Sequence, residues 1–150
     1  MNMKKNYIAV ALLTACMTMT VSTSQAEVAY TGAWVRATVP NQQATGAFMQ
    51  LVSKKDTTLV AARSDIAGIV EVHEMKMEND VMRMRAVDGL RLPANQPVEL
   101  RSGGYHLMLM DLKKQLKVGT EAQITLVFKN ADGQSETVYV HAPVALIKPK

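Results

Sequence analysis

Short runs of β-branched or alternating residues follow one another along this 150-residue chain, and turn-forming clusters separate them. Ala33 to Arg36, Ala47 to Val52, Thr58 to Arg63, Ile69 to Met77, Val81 to Val87, Val98 to Arg101, Tyr105 to Leu112, Ala122 to Lys129 and Ser135 to His141 read as strands. In such runs period-two alternation sends one face to a core and the other to water. Between them lie Ser53-Lys54-Lys55-Asp56, Glu78-Asn79-Asp80, Asp88-Gly89, Pro93 to Pro97, Ser102-Gly103-Gly104 and Asn130-Ala131-Asp132-Gly133, all rich in turn residues. No segment makes an amphipathic helix of three turns; Lys113 to Val118 is too short and Gly119 ends it. There is no repeat and no low-complexity tract. Many short strands with regular turns predict an all-β domain, an antiparallel β-sandwich or Greek-key barrel. Strand order is not readable at this level.

The first 26 residues have the pattern of an export signal. Lys4 and Lys5 precede an apolar run from Tyr7 to Ala15, and Ser24 and Ala26 put small residues before a cut after Ala26. The run is too short and threonine-rich for a membrane span. Leu13-Thr14-Ala15-Cys16 also resembles a lipobox, so lipidation at Cys16 is the alternative. Either way residues 27–150 form one exported domain, placed in the periplasm and large enough for a single core. Its charge is mildly positive, two units below the +4 of the whole chain once Lys4 and Lys5 leave. With no basic block and few aromatics, nothing points to nucleic acid.

Cys16 is the only cysteine, so the mature domain has no disulfide and no thiolate. A blue-copper electron carrier, which needs a thiolate ligand, is excluded. Methionine is distributed unevenly. Apart from Met1, Met3, Met17 and Met19 in the leader and Met49, every methionine (Met75, Met77, Met82, Met84, Met108, Met110) lies between residues 75 and 110, beside His73 and His106. Two imidazoles with thioethers form a soft, neutral donor set that suits Cu(I) and fits Zn²⁺ or a hard cation poorly. His73, Met84, His106 and Met108 are the candidate ligands. Cu(I) takes three or four donors, so Met75, Met77, Met82 and Met110 are read as apolar lining or alternative donors.

Alternation places His73, Met75 and Met77 on one face of their strand and Val72, Glu74 and Lys76 on the other. A hairpin turn over Glu78 to Val81 would set Met77 opposite Met82 and Met75 opposite Met84, with His73 diagonal to Met84 at roughly 7 Å. His106, Met108 and Met110 share a face of a third strand, and Gly103-Gly104 lets the chain turn sharply into it. Four donors are thereby expected to converge near one end of the sandwich. Methionines at alternating strand positions are more often core than ligands; the metal reading rests on their conjunction with two histidines.

The other residues offer less. His141 is isolated and Trp34 reads as a core anchor of the first strands. Acidic residues show no pairing for acid–base catalysis, no serine or threonine has a nucleophile's context, and Ser102-Gly103-Gly104 is no phosphate loop. No enzyme is expected.

His73, ten residues, Met84, twenty-one residues, then His106-x-Met108 resembles the signature of the periplasmic copper chaperone family PCu(A)C. Ala33-Trp34-Val35-Arg36-Ala37-Thr38, Val72-His73-Glu74-Met75, Met82-Arg83-Met84 and Gly103 to Met110 resemble it too, over about Ala33 to Val140. The resemblance implies a cupredoxin-like β-sandwich holding one Cu(I) at an exposed site through His73, Met84, His106 and Met108. It also implies delivery of copper to cytochrome c oxidase assembly, with subunit II or a Sco-type thiol protein as acceptor. Some members carry a His- and Met-rich C-terminal tail; Ala142 to Lys150 has none, so a second Cu(II) site is not expected. Two alternatives stand beside delivery: copper or silver sequestration for tolerance, and a metal-free β-sandwich interaction module.

Overall fold

The computed structural model describes residues 27–149, so the expected leader, the cut after Ala26 and Cys16 lie outside the described residues. Ten strands follow in order: β1 (Val28–Arg36), β2 (Ala44–Ser53), β3 (Thr57–Ser64), β4 (Ala67–Glu78), β5 (Val81–Ala86), β6 (Leu90–Leu92), β7 (Val98–Leu100), β8 (Tyr105–Leu112), β9 (Glu121–Asn130) and β10 (Ser135–Ala145). The strand absent from the sequence reading is β6. Three residues running into Pro93 are too few to show a period, yet buried Leu90 and Leu92 flank exposed Arg91 and pair with β3.

The hydrogen-bonded path runs β5-β4-β8-β2-β1-β10-β9-β3-β6, with β7 also on β2. It divides where β1 meets β10 in a short parallel contact, Val35 opposite Val144 and Arg36 opposite Ala145. The other strand pairings are antiparallel, as alternating runs joined by tight turns require. The path ends on β5 and β6 without joining them, so the domain is an open-edged sandwich and not a closed barrel.

The strongest alternation is on β9, where Ala122, Ile124, Leu126 and Phe128 point inward and are fully buried. They meet Val35, Ala47, Met49, Leu51, Val72, Leu107 and Leu109 of the first layer in one core. Each large side chain so buried contributes about 1.5–3 kcal/mol, which fixes which face of every strand is inside. A slip of one residue would turn that face outward. Trp34 and Phe48 are buried too, but beside Val35 and Ala47 they have the opposite parity. They stack 4.7 Å apart on the outer face of the first layer, which corrects the reading of Trp34 as an interior anchor. Gly46 makes room for this, since a Cβ there would lie 2.8 Å from Cζ of Phe48.

Candidate metal centre

Core-facing parity puts Val72 and Leu107 inside, so their neighbours His73 and His106 must point out of the sandwich. They are direct cross-strand partners on β4 and β8. Their ring centroids lie 6.0 Å apart at 61°. Met108, opposite Glu71, shares this outer face. So do Met75 and Met84, which oppose each other on β4 and β5. The donors thus gather on the outer face of the first layer, near the end of the sheet where β8 begins. The hairpin register is the one expected from a turn over Glu78 to Val81: Met77 opposite Met82, Met75 opposite Met84 and Glu78 opposite Val81. Asn79 and Asp80 close it at φ 51° and 62°. Positive φ at both central positions makes the turn whose twist suits a two-residue hairpin, and Asn and Asp tolerate it better than most residues.

Each imidazole has one nitrogen held by an oxygen and the other unpartnered. His73 Nε2 donates to Glu71 Oε2 at 2.9 Å, while its Nδ1 is buried with no hydrogen-bond partner. His106 Nδ1 donates to the Gly104 carbonyl at 3.0 Å, which leaves Nε2 with the lone pair. That same carbonyl accepts the Met75 backbone N–H at 3.1 Å, so one oxygen fixes both the His106 ring and the place where β4 passes it. A ring nitrogen fastened to a carboxylate or carbonyl is the arrangement that orients a metal-binding histidine and raises its basicity. An orphaned buried nitrogen costs about 1–3 kcal/mol unless something accepts its lone pair. These residues fit a metal ion.

A cavity of about 240 Å³ opens beside His106, lined by Thr45, Gly46, Phe48, Met75, Met108 and neighbours. The Phe48 ring stands 6.4 Å from that of His106, and the Arg36 guanidinium lies over the Phe48 ring at 5.4 Å. Met84 is outside the cavity. It lies one strand further out, on an edge strand, and is 48 % exposed. Of the four expected ligands the structure therefore groups His73, His106 and Met108 closely and holds Met84 at the rim, with Met75 between. Among the described residues no three His, Cys, Asp or Glu side chains come together as a metal cluster, and the soft donors beside the two imidazoles are thioethers. His141 pairs with Glu121 elsewhere on the surface.

On the opposite face of β4, Arg85 donates to Glu74 Oε2 from Nε and Nη2 at 3.1 and 2.8 Å. These bonds hold the Glu74 carboxyl below the usual carboxylate range, and burial with the Glu74 charge raises the Tyr105 hydroxyl. The three residues tie β5, β4 and β8 together behind the histidines. Sequence reasoning missed Glu71 and the Gly104 carbonyl. Glu71 did leave a signal, standing two residues before His73 and so on its face.

The family model for LpqE-like proteins, described as "Putative lipoprotein LpqE-like", matches residues 28–144. The chain belongs to this family, that of the PCuAC domains. The membership of the PCu(A)C family that the resemblance implied is thereby borne out. The LpqE-like chain is 33 % identical over 109 residues to "Putative lipoprotein Lxx21020" of Leifsonia xyli subsp. xyli, covering 72 % of this chain and 64 % of that protein. It thus spans less than two thirds of that relative's length. Among solved structures it is similar to the copper-bound PCuAC domain from PmoF2, with TM-score 0.64 and 26 % identity over 79 % of this chain and 92 % of that one. It is also similar to Cu(I)-bound DR1885 of Deinococcus radiodurans, with TM-score 0.56 and 36 % identity over 75 % and 74 %. The fold is the cupredoxin-like β fold of those domains.

Proposed function

We propose that this LpqE-like protein is an exported, periplasmic metallochaperone that binds one Cu(I) through His73, Met84, His106 and Met108. It passes the ion on for assembly of the binuclear copper centre of cytochrome c oxidase, with subunit II or a Sco-type protein as acceptor. The observation that carries this reading is the opposed pair of outward-facing imidazoles, each pinned at one nitrogen and free at the other, set among thioethers. Likeness to solved copper-bound PCuAC domains supports it. The donor set also supports the oxidation state. Thioethers are neutral and soft, so the set favours Cu(I) over Cu(II). Only the imidazoles compete with protons for the metal. Glu71 adds one nearby negative charge against the ion without joining the thioethers.

Transfer follows from exposure. Met84 is the outermost donor and sits on the edge strand, so an acceptor's ligand can replace it before His73 or His106 lets go. Ligands then exchange one at a time, and the ion is never bare. The test has two arms. Titration of the purified protein with Cu(I) should give one tight equivalent. A deletion strain grown on scarce copper should lose oxidase activity, restored by the wild type but not by His106→Ala. Normal oxidase with sensitivity to excess copper or silver would instead favour sequestration and overturn delivery. Absence of any tight Cu(I) binding would leave the metal-free interaction module.

A further inference from the structure

The methionines of the β4–β5 hairpin lack the usual explanation for methionine in a sandwich. Met77, Met82 and Met84 are 57 %, 48 % and 48 % exposed. Every residue of β5 is exposed, and among the described residues no strand pairs its outer side. These side chains fill no gap. Single exposed apolar residues are ordinary, but these occupy matched positions on one face, Met77 directly opposite Met82 and Met84 beside them opposite Met75. The charged side chains of the two paired strands, Glu74, Lys76, Glu78, Arg83 and Arg85, alternate to the other face, and Asp80 lies in the turn. Two pairs of them bridge there, Arg85 to Glu74 at 2.8 Å and Arg83 to Glu78 at 3.7 Å. Among the described residues, the paired positions on the outer face from Met75 to Met77 and from Met82 to Met84 therefore offer thioethers and no carboxylate or amine.

We infer that Met77 and Met82, with Met84, form a second and weaker Cu(I) site at the tip of the hairpin that loads the His73/His106 centre. Directly opposed side chains start with Cβ atoms about 4.5–5.5 Å apart. Each methionine has three rotatable bonds beyond its Cα, so both sulfurs can close on one ion without moving the backbone. Neutral thioethers alone select a soft monovalent ion over a hard one and bind it loosely, since no imidazole or carboxylate adds to them. From that pair the next donors inward are Met84 and Met75, one strand repeat of about 7 Å away, and then His73. Met84 belongs to both sites, so it can hold the ion while Met77 and Met82 leave and the imidazoles arrive. Copper stays Cu(I) throughout, no electron moves and no thioether proton is released. Binding at the tip stands by itself; the loading role rests on the function proposed above.

The experiment is an anaerobic titration of the full protein with Cu(I), followed through methionine methyl ¹³C resonances and a stopped-flow loading trace. The wild type should take a second equivalent that shifts the Met77 and Met82 methyls after the tight one is filled. Met77→Leu with Met82→Leu keeps volume on an exposed strand. It should abolish the second equivalent, leave the first affinity unchanged and slow its loading by about tenfold. In His73→Ala/His106→Ala the tight equivalent should vanish while the tip methyls still shift, which separates this site from the central one. Saturation of the wild type at one equivalent with the Met77 and Met82 methyls unmoved would overturn the proposal. Unchanged loading in the double leucine variant would overturn the loading role.

Discussion

Glu71→Ala removes the carboxylate that holds the His73 ring at Nε2 and leaves Nδ1 free for the proposed Cu(I). The contact is a single hydrogen bond of 2.9 Å, to a carboxylate whose side chain is 45 % exposed while that of His73 is only 12 % exposed. Loss of such an orienting partner typically costs 10–100-fold in metal affinity. Solvent already screens this one, so the low end applies: about tenfold, or roughly 1.4 kcal/mol of Cu(I) binding. Glu71→Gln keeps an oxygen acceptor and loses the charge, so its effect should be smaller. Neither change touches the core, and a surface substitution of this kind alters stability by within about 0.5 kcal/mol. The assay is competition for Cu(I) with a chromophoric chelator, run beside urea unfolding of the same variants. The reasoning is refuted if Glu71→Ala binds Cu(I) like the wild type while His73→Ala binds at least tenfold more weakly.

Met84→Ala and Met108→Ala should each weaken tight Cu(I) binding by at least about tenfold, whereas Met77→Leu should leave that first equivalent unchanged; the same chelator competition reads both. Equal losses at Met77 and Met84 would show the wrong sulfurs were chosen. Glu74 has a folded carboxyl pKa lowered first by the Arg85 hydrogen bonds. Its contribution to stability is therefore present above the ordinary carboxylate value and lost as pH falls through the lower folded one. Urea midpoints measured from pH 6 down to 2.5 should fall along that acid limb, and Glu74→Gln should flatten it. Leu107, wholly buried between His106 and Met108, should cost about 2–5 kcal/mol on replacement by alanine, measured by equilibrium unfolding. A loss under 1 kcal/mol would mean β8 does not anchor the site through the core.

Alternation gave the faces of β4 and β8, because a buried face tolerates no slip: Val72 and Leu107 had to go in, so His73 and His106 had to come out. Asn79-Asp80 set the turn and through it the opposition of Met75 and Met84. Strand neighbours were another matter. That β8 lies against β4, which makes His73 and His106 direct partners, depends on contacts 33 residues apart in the chain and leaves no local pattern. The division of the path at the parallel contact of β1 with β10 is likewise long-range. Trp34 misled because burial and interior are usually the same thing; it and Phe48 are both buried. Here they are buried on the outside, where Gly46 leaves room and Arg36 lies over the Phe48 ring. The Gly104 carbonyl could not be foreseen, since any residue has one and only the bend into β8 aims it at His106.

The central claim is that His73, His106 and the thioethers hold one Cu(I) on the outer face of the first layer. The most direct measurement is X-ray absorption on the stoichiometric Cu(I) protein, joined to ¹⁵N correlation of its histidine rings. The copper should show a mixed nitrogen and sulfur shell, with His73 bound through Nδ1 and His106 through Nε2. A shell of nitrogen and oxygen alone, or copper that leaves both rings unchanged, would contradict it.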